Sequence, residues 1–226
     1  MGKLIVIEGS CDSVGKSTQY KMLVDRLMKE TDKVITTHHF PSYGTYQGRA
    51  VEEYLKGNYG KISDLSPYFV NSLYAQDRAI TWISGLGDQY NNGGVILLDR
   101  YTTSSLIYQS SVIEDEEEKN KFIDYVYDYE YNKLGIPIPD LVIFLYAPFE
   151  VAKALKEKRK LSRRTDDDIH EKDLEYLKKV SDSSTFIADK YNWEYINCTK
   201  DNEMRSVEDI HEDIYNAVKE KILNNK

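Results

Sequence analysis

The sequence predicts an α/β fold of three layers, a mainly parallel sheet of about five strands with helices on both faces. Three observations carry that prediction. Short runs such as Leu4–Ile7, Val95–Leu98 and Leu141–Leu145 are apolar at every position. They lack the alternation of a strand with one wet face, so both faces are expected to be covered. Between the runs lie longer segments with apolar residues at helical spacing, and strands alternating with helices imply right-handed crossovers and a parallel sheet. Finally, the first run stops at Glu8-Gly9, and a loop of small residues leads into Gly15-Lys16-Ser17-Thr18. That is the strand–loop–helix layout of a P-loop.

From Lys16 the pattern is helical, with Tyr20, Leu23, Val24, Leu27 and Met28 on one face. Lys33–Thr37 reads as the second strand, running into His38-His39-Phe40-Pro41. Gln47–Lys56 reads as a short helix closed near Gly57. Asp64–Ser66 should cap the next helix, with Pro67 in its first turn. Its expected buried stripe is Phe69, Leu73, Ile80 and Ile83. The third strand, Val95–Leu98, runs directly into Asp99-Arg100-Tyr101, and Thr102–Ser105 starts a helix. The acidic run Glu114–Glu118 suits a solvated helix N-terminus, favoured there by the helix dipole, with the helix continuing to Tyr131.

Leu141–Leu145 is the fourth strand, and Phe149–Lys158 the helix after it. Arg159–Asp168 is polar and short of apolar anchors, so mobility is expected there. Ile169–Lys190 reads as a long helix and Glu194–Asn197 as a short fifth strand. Val207–Leu223 is a terminal helix with Ile210, Ile214, Val218 and Ile222 on one face.

Bulk properties narrow the classes. The chain has 226 residues, enough for one α/β domain, and 41% hydrophobic with 30% charged residues is ordinary for a soluble protein. A net charge of −8 argues against a protein that coats nucleic acid, but not against a local basic pocket for a small anion. Two distant cysteines, Cys11 and Cys198, suggest no disulfide framework and fit a reducing, cytoplasmic compartment. Neither a signal peptide nor a membrane-spanning run is expected, so membrane association is not expected either.

Ligands of such sheets bind beyond the carboxyl ends of the strands. Three chemically loaded segments end there: the phosphate loop, Phe40-Pro41 and Asp99-Arg100-Tyr101. In the loop, backbone N–H groups and the helix N-terminus would cradle phosphates. Lys16 would reach those phosphates, and the Ser17 hydroxyl would ligate Mg²⁺. Counting back from Gly15, the usual spacing falls on Ser10 and not on Gly9. Either the loop is one residue longer, or Ser10 stands where a glycine is usual. Asp99 could hold Mg²⁺ through water or orient Arg100. Tyr74 and Arg78 lie four apart on one helix face and suit stacking on a base and bonding to its edge. Arg163 and Arg164, in the polar stretch, suit a lid that closes over the transferring phosphoryl group. Phosphoryl transfer needs mainly positioning and positive charge, which these residues can supply.

The chain resembles the thymidylate kinase family along nearly its whole length. The resemblance rests on Val6–Gly9 with Asp12–Gln19, Phe40–Gly44, Tyr74–Arg78, Leu97–Ser104, Tyr108-Gln109 and Pro139–Leu145. It implies the P-loop nucleoside monophosphate kinase fold over residues 1–226 as a single domain, with a lid at about 158–168. It also implies phosphoryl transfer from ATP to dTMP, giving dTDP, with Mg²⁺ as the metal cofactor, and a homodimer. The implied ATP site is Ser10, Cys11, Asp12, Ser13, Val14, Gly15, Lys16, Ser17 and Thr18. For the acceptor, Asp12 would bond the deoxyribose 3′-OH and Phe40 would line the pocket. Tyr74 would stack on thymine and Arg78 contact the base. Arg100 would grip the phosphate, Tyr108 crowd the 2′ position, and Gln109 help fix base or sugar. Lys16, Arg100 and the lid arginines Arg163 and Arg164 would be catalytic, and Ser17 and Asp99 would serve the metal. Two other functions are carried alongside: a kinase of another nucleoside monophosphate or a deoxynucleoside, and a nucleotide-binding protein with little turnover.

Overall fold

The computed structural model describes residues 1–11, 13–162 and 174–224. In order, these form β1 (Lys3–Gly9), α1 (Lys16–Glu30), β2 (Ile35–His39), α2 (Arg49–Leu55), α3 (Pro67–Thr81), α4 (Gly87–Asn91), β3 (Val95–Asp99), α5 (Thr102–Tyr108), α6 (Glu116–Tyr127), β4 (Leu141–Tyr146), α7 (Phe149–Ser162), α8 (Leu174–Lys190) and β5 (Glu194–Asn197). A small hairpin of β6 (Thr199–Lys200) and β7 (Glu203–Met204) precedes α9 (Val207–Val218).

Five strands pair in the order β2-β3-β1-β4-β5, all parallel. The central strand β1 therefore has β3 on one side and β4 on the other, and the loop leaving it sits where its two neighbours diverge. This is where an open parallel sheet forms its ligand crevice. The register brings Ile7 beside Asp99 and Gly9 beside Leu145, so the strand ends lie level.

The apolar strands behave as two-sided core. Ile5, Ile7, Leu97, Ile143 and Leu145 pack on one side against Leu23 and Leu27 of α1 and Ile210, Ile214 and Val218 of α9. Leu4, Val6, Ile96, Leu98 and Val142 pack on the other with Ala79, Leu86, Tyr131 and Ile136. A third cluster joins Leu106 and Ile107 of α5, Phe122, Ile123 and Val126 of α6, and Val180 and Ile187 of α8. No helix among the described residues is long and apolar enough to cross a membrane.

Several sequence expectations need correction. The second strand lies two residues later than expected, because pairing with β3 runs from Ile35–Val95 to His39–Asp99 and leaves Val34 largely exposed. Met28 does not join the buried face of α1. In α3 the expected stripe is wrong. Phe69 and Ile83 are exposed, while Val70, Asn71, Ala75, Asp77, Arg78, Ala79 and Thr81 are buried. The polar face turned inward meets partners from other elements: Arg78 pairs with Ser105 of α5 and Glu130 in the turn after α6, and Asp77 with the Ser42 N–H in the turn after β2. His211 is buried in α9. The segment expected to be polar and mobile begins inside a helix, since α7 continues to Ser162. The hairpin of β6 and β7 was not expected at all. Asp115 caps α6 by accepting from the Glu118 N–H at 2.9 Å, which accounts for the start of the acidic run.

Candidate active site

The phosphate loop leaves β1 at Gly9. Five residues, Ser10 to Val14, separate it from Gly15. A Cβ on Gly9 would lie 2.8 Å from Val14 Cγ1, so only glycine lets the strand end pack against the buried far limb of the loop. Gly9 is therefore the loop's close-approach glycine, and the loop is one residue longer than the usual spacing. Ser10 absorbs the extra length. It is fully buried, and its hydroxyl donates to the Ala147 carbonyl at 3.1 Å and accepts from the Ala147 N–H at 3.1 Å. Its own carbonyl accepts from the Ser184 hydroxyl at 3.2 Å. Ser13 and Gly15 both take the left-handed conformation, with φ of 70° and 94°, and Gly15 turns the chain into α1. Ser17 and Thr18 are exposed at that helix N-terminus. Cys11 is half-buried, its Sγ 3.4 Å from Ser10 Oγ.

Asp99 is the electrostatic hub. Its Oδ1 pairs with Lys16 Nζ, and its Oδ2 lies 3.1 Å from His39 Nδ1. Burial works against the Asp99 charge, but the His39 hydrogen bond, Lys16 and Arg100 outweigh it and hold the carboxyl well below the usual carboxylate range. Lys16 is pushed the other way from its ordinary value: burial, then the nearby Arg100 charge, disfavour its ammonium. Two cations thus converge at one carboxylate, a place that favours an incoming polyanion.

Arg100 follows Asp99 with φ of 69°, a left-handed residue without glycine's freedom, and such strain is concentrated at functional sites. Its Nη1 donates to the Tyr108 hydroxyl at 2.9 Å, and its guanidinium carbon sits 5.1 Å from the Tyr108 ring centre. Glu8, fully buried at the end of β1, accepts from the Thr103 and Ser104 hydroxyls at 2.7 and 2.6 Å. It ties the start of α5 to the sheet edge.

Beside this hub opens a cleft of about 160 Å³. Phe40, Pro41, Tyr43, Leu55, Tyr74 and Tyr108 form its apolar walls, and Arg78, Arg100, Ser104, Ser105 and Gln109 its polar groups. The turn carrying Phe40 and Pro41 is anchored to α3, because Asp77 accepts from the Ser42 N–H at 2.8 Å. Tyr74 and Arg78 lie together as their spacing implies, the guanidinium 6.0 Å from the ring centre. Arg78 is not a surface arginine reaching outward. It is 1% exposed and bidentate to Glu130, with Nε and Nη2 each donating at 2.6 Å. Burial opposes its charge, but Glu130 outweighs that and raises it further.

Among the expected site residues, Ser10, Cys11, Ser13, Val14, Gly15, Lys16, Ser17 and Thr18 lie on the loop and helix start. Phe40, Tyr74, Arg78, Arg100, Tyr108 and Gln109 all line the one cleft. Asp12, Arg163 and Arg164, and the lid segment beyond Ser162, fall outside the described residues. Sequence reasoning missed Glu8, His39 as the partner of Asp99, Asp77, Ser105 and Glu130. A signal existed for Glu130. It falls four residues after Val126 and eight after Phe122, both buried, and so on the core side of the helix. Glu8 likewise continues a strand that is buried from Leu4 onward.

The donor chemistry of Ser17 and Asp99 fits Mg²⁺, a hard cation that takes oxygen ligands: one is a hydroxyl, the other a carboxylate held ionised.

A parallel sheet with its phosphate loop at the crevice, two cations beyond that loop and an aromatic cleft alongside together define a P-loop kinase of small nucleotides. The family model for thymidylate kinase matches residues 7–214. A thymidylate kinase of Brachyspira hyodysenteriae is 33% identical over 224 residues, 98% of this chain and 96% of that protein. A probable thymidylate kinase of Saccharolobus solfataricus is 31% identical, covering 89% and 91%. The thymidylate kinase structure from Candida albicans superposes with a TM-score of 0.71 at 23% identity, covering 97% of this chain and 92% of that one, and it shares the fold. This chain belongs to the thymidylate kinase family, whose members are ATP-dependent nucleoside monophosphate kinases.

Proposed function

We propose that this chain transfers the γ-phosphoryl group of ATP to dTMP, giving dTDP and ADP, across the crevice between the phosphate loop and the aromatic cleft. The observation that supports this most directly is the convergence of Lys16 and Arg100 on Asp99 at the mouth of a cleft walled by Phe40, Tyr74 and Tyr108. One cation faces the loop that would hold the donor, and the other faces the cleft that would hold the acceptor. A phosphate oxygen of dTMP attacks the γ-phosphorus, the bond to the β–γ bridging oxygen breaks, and ADP leaves with that oxygen.

In this reading the loop Ser10–Gly15 cradles the donor phosphates with backbone N–H groups. Lys16 exchanges its Asp99 partner for those phosphates and neutralises charge on the moving oxygens. Arg100 holds the acceptor phosphate against Tyr108, whose ring restricts the space at the sugar 2′ position. Tyr74 stacks on the base, Arg78 bonds its edge, and Phe40 and Gln109 close the cleft. Ser17 and Asp99 would hold Mg²⁺, which when bound neutralises phosphate charge. Asp12 as the 3′-OH contact and Arg163 and Arg164 as lid groups complete the reading. A single domain, a homodimer and a cytoplasmic location are part of it as well.

The test is ADP release from ATP–Mg²⁺ with dTMP, dUMP, UMP, dCMP, dGMP, AMP and thymidine as acceptors. A strong preference for dTMP is expected. Tight ATP binding with no turnover for any acceptor would refute the proposal. In addition, Lys16→Ala should lower kcat by about 100-fold or more, the scale of losing a main charge-stabilising group. Near-normal turnover in that variant would overturn the assignment of the phosphate loop.

A further inference from the structure

Glu130 has no part in the roles above, yet it is the most completely engaged carboxylate beside the cleft. It lies in the wide turn Asp128–Lys133 that continues α6, and it is fully buried. Its two oxygens take Arg78 Nε and Nη2 at 2.6 Å each, the fork-to-fork geometry that fixes a guanidinium in plane and in rotation. The Thr102 hydroxyl adds a third bond to Oε2 at 3.0 Å. Arg78 is held from its other edge too: Nη2 donates to Ser105 Oγ at 2.8 Å and Nη1 to the Tyr101 carbonyl at 3.3 Å. A guanidinium has five N–H donors. These four bonds leave one Nη1 N–H, on a residue that lines the cleft beside Tyr74 and Gln109.

We propose that Glu130 is a specificity-determining positioning residue: by locking the Arg78 fork, it reduces a five-donor cation to one fixed N–H at the base end of the cleft. The inference rests on the reading that the cleft takes a nucleoside monophosphate. A single donor that cannot turn accepts a base with a carbonyl oxygen at that edge. It rejects a base with an amino group there, because donor would face donor and neither could be satisfied. A mobile arginine offers donors in several directions and discriminates less. The ion pair also removes net charge from the base end, so the acceptor's phosphate is drawn to Arg100 instead.

The experiment compares dTMP with dCMP as acceptors for the wild type and Glu130→Gln. Glutamine keeps the shape but sets an amide N–H against one branch of the fork, so Arg78 is released. The expected result is a fall of about tenfold or more in the dTMP-to-dCMP ratio of kcat/KM, carried by KM, with kcat for dTMP within about threefold of wild type. An unchanged ratio at wild-type Tm would overturn the inference. So would an equal loss for both acceptors accompanied by a lower Tm, the mark of a purely structural role. If Glu130→Gln does not fold, the double variant Arg78→Met, Glu130→Leu is measured instead. Replacing a buried ion pair by apolar residues of similar volume is often neutral for stability. A folded double variant should have lost the discrimination, and a retained dTMP preference would refute the proposal. Failure of the functional reading looks different: a wild type inactive with every monophosphate refutes both, whereas unchanged selectivity in Glu130→Gln against a dTMP-active wild type refutes only this inference.

Discussion

Ser10 is the residue by which this loop departs from the usual spacing, and its removal as a polar group has a size that can be worked out. In Ser10→Ala the Ala147 carbonyl loses its Ser10 bond and keeps only the weak Cys11 Sγ contact at 3.9 Å, and the Ala147 N–H loses the bond it donates, both Ser10 bonds being 3.1 Å long in a fully buried position. Each orphaned buried group costs about 1–3 kcal/mol, so the pair should cost about 2–4 kcal/mol once some relaxation is allowed. For a chain of this size each kcal/mol moves Tm by about 2–4 °C, giving a fall of roughly 5–15 °C. The Ser184 bond to the Ser10 carbonyl does not depend on the side chain, so the substitution isolates the hydroxyl. Thermal unfolding by circular dichroism reads the stability, and the KM for ATP reads the loop. We expect both to suffer, because the same two bonds that stabilise the fold hold the loop against the turn after β4. A variant whose Tm stays within about a degree of wild type would show that Ser10 is not the anchor, and the account of the longer loop would fall with it.

Other substitutions address neighbouring points. Gly9→Ala pushes a methyl group to 2.8 Å from Val14 Cγ1 and should cost about 1–3 kcal/mol by overpacking. Adding Val14→Ala should restore much of that loss in the same melts, and no rescue would mean that the clash lies elsewhere. Arg100→Ala should raise the KM for the acceptor at least tenfold while leaving the KM for ATP within about threefold, since one charge-assisted contact to phosphate is typically worth about 1.5–3 kcal/mol; equal effects on both would remove its acceptor role. His38 is half-buried at the end of β2 with Nε2 2.8 Å from Ser42 Oγ, and burial lowers its tendency to protonate. A base depressed in the folded state binds more protons when unfolded, so its contribution is intact above the unfolded pKa of about 6.5 and is lost as pH falls. Stability should therefore decline from pH 7 to 5, and His38→Gln should flatten that limb in denaturant titrations. His211, depressed for the same reason, adds to the wild-type slope, so some slope should remain.

By itself the sequence determined the class of fold and most of the cleft. Apolar runs without alternation could only be strands covered on both faces, and the structure puts Leu4 and Val6 on one face of the sheet and Ile5 and Ile7 on the other. The small-residue loop and the strand-end motifs were legible because local chain chemistry dictates them: glycine where backbone must approach, and charged residues where a buried strand stops. What only the tertiary structure decided were the partners. No local pattern says that Arg78 spends its fork on Glu130, 52 positions away, or that Asp99 is shared by Lys16 and His39. The stripe expected on α3 was wrong for the same reason. An apolar residue is free to remain exposed, as Ile83 does, whereas a buried charge must be matched by a group from another element. Which element that is depends on how the sheet brings α3, α5 and the end of α6 together. The longer loop was ambiguous in sequence because Gly9 and Ser10 both suit a turn. It was resolved by a close approach within the folded loop, Gly9 against Val14, and by a contact across the chain, Ser10 against Ala147.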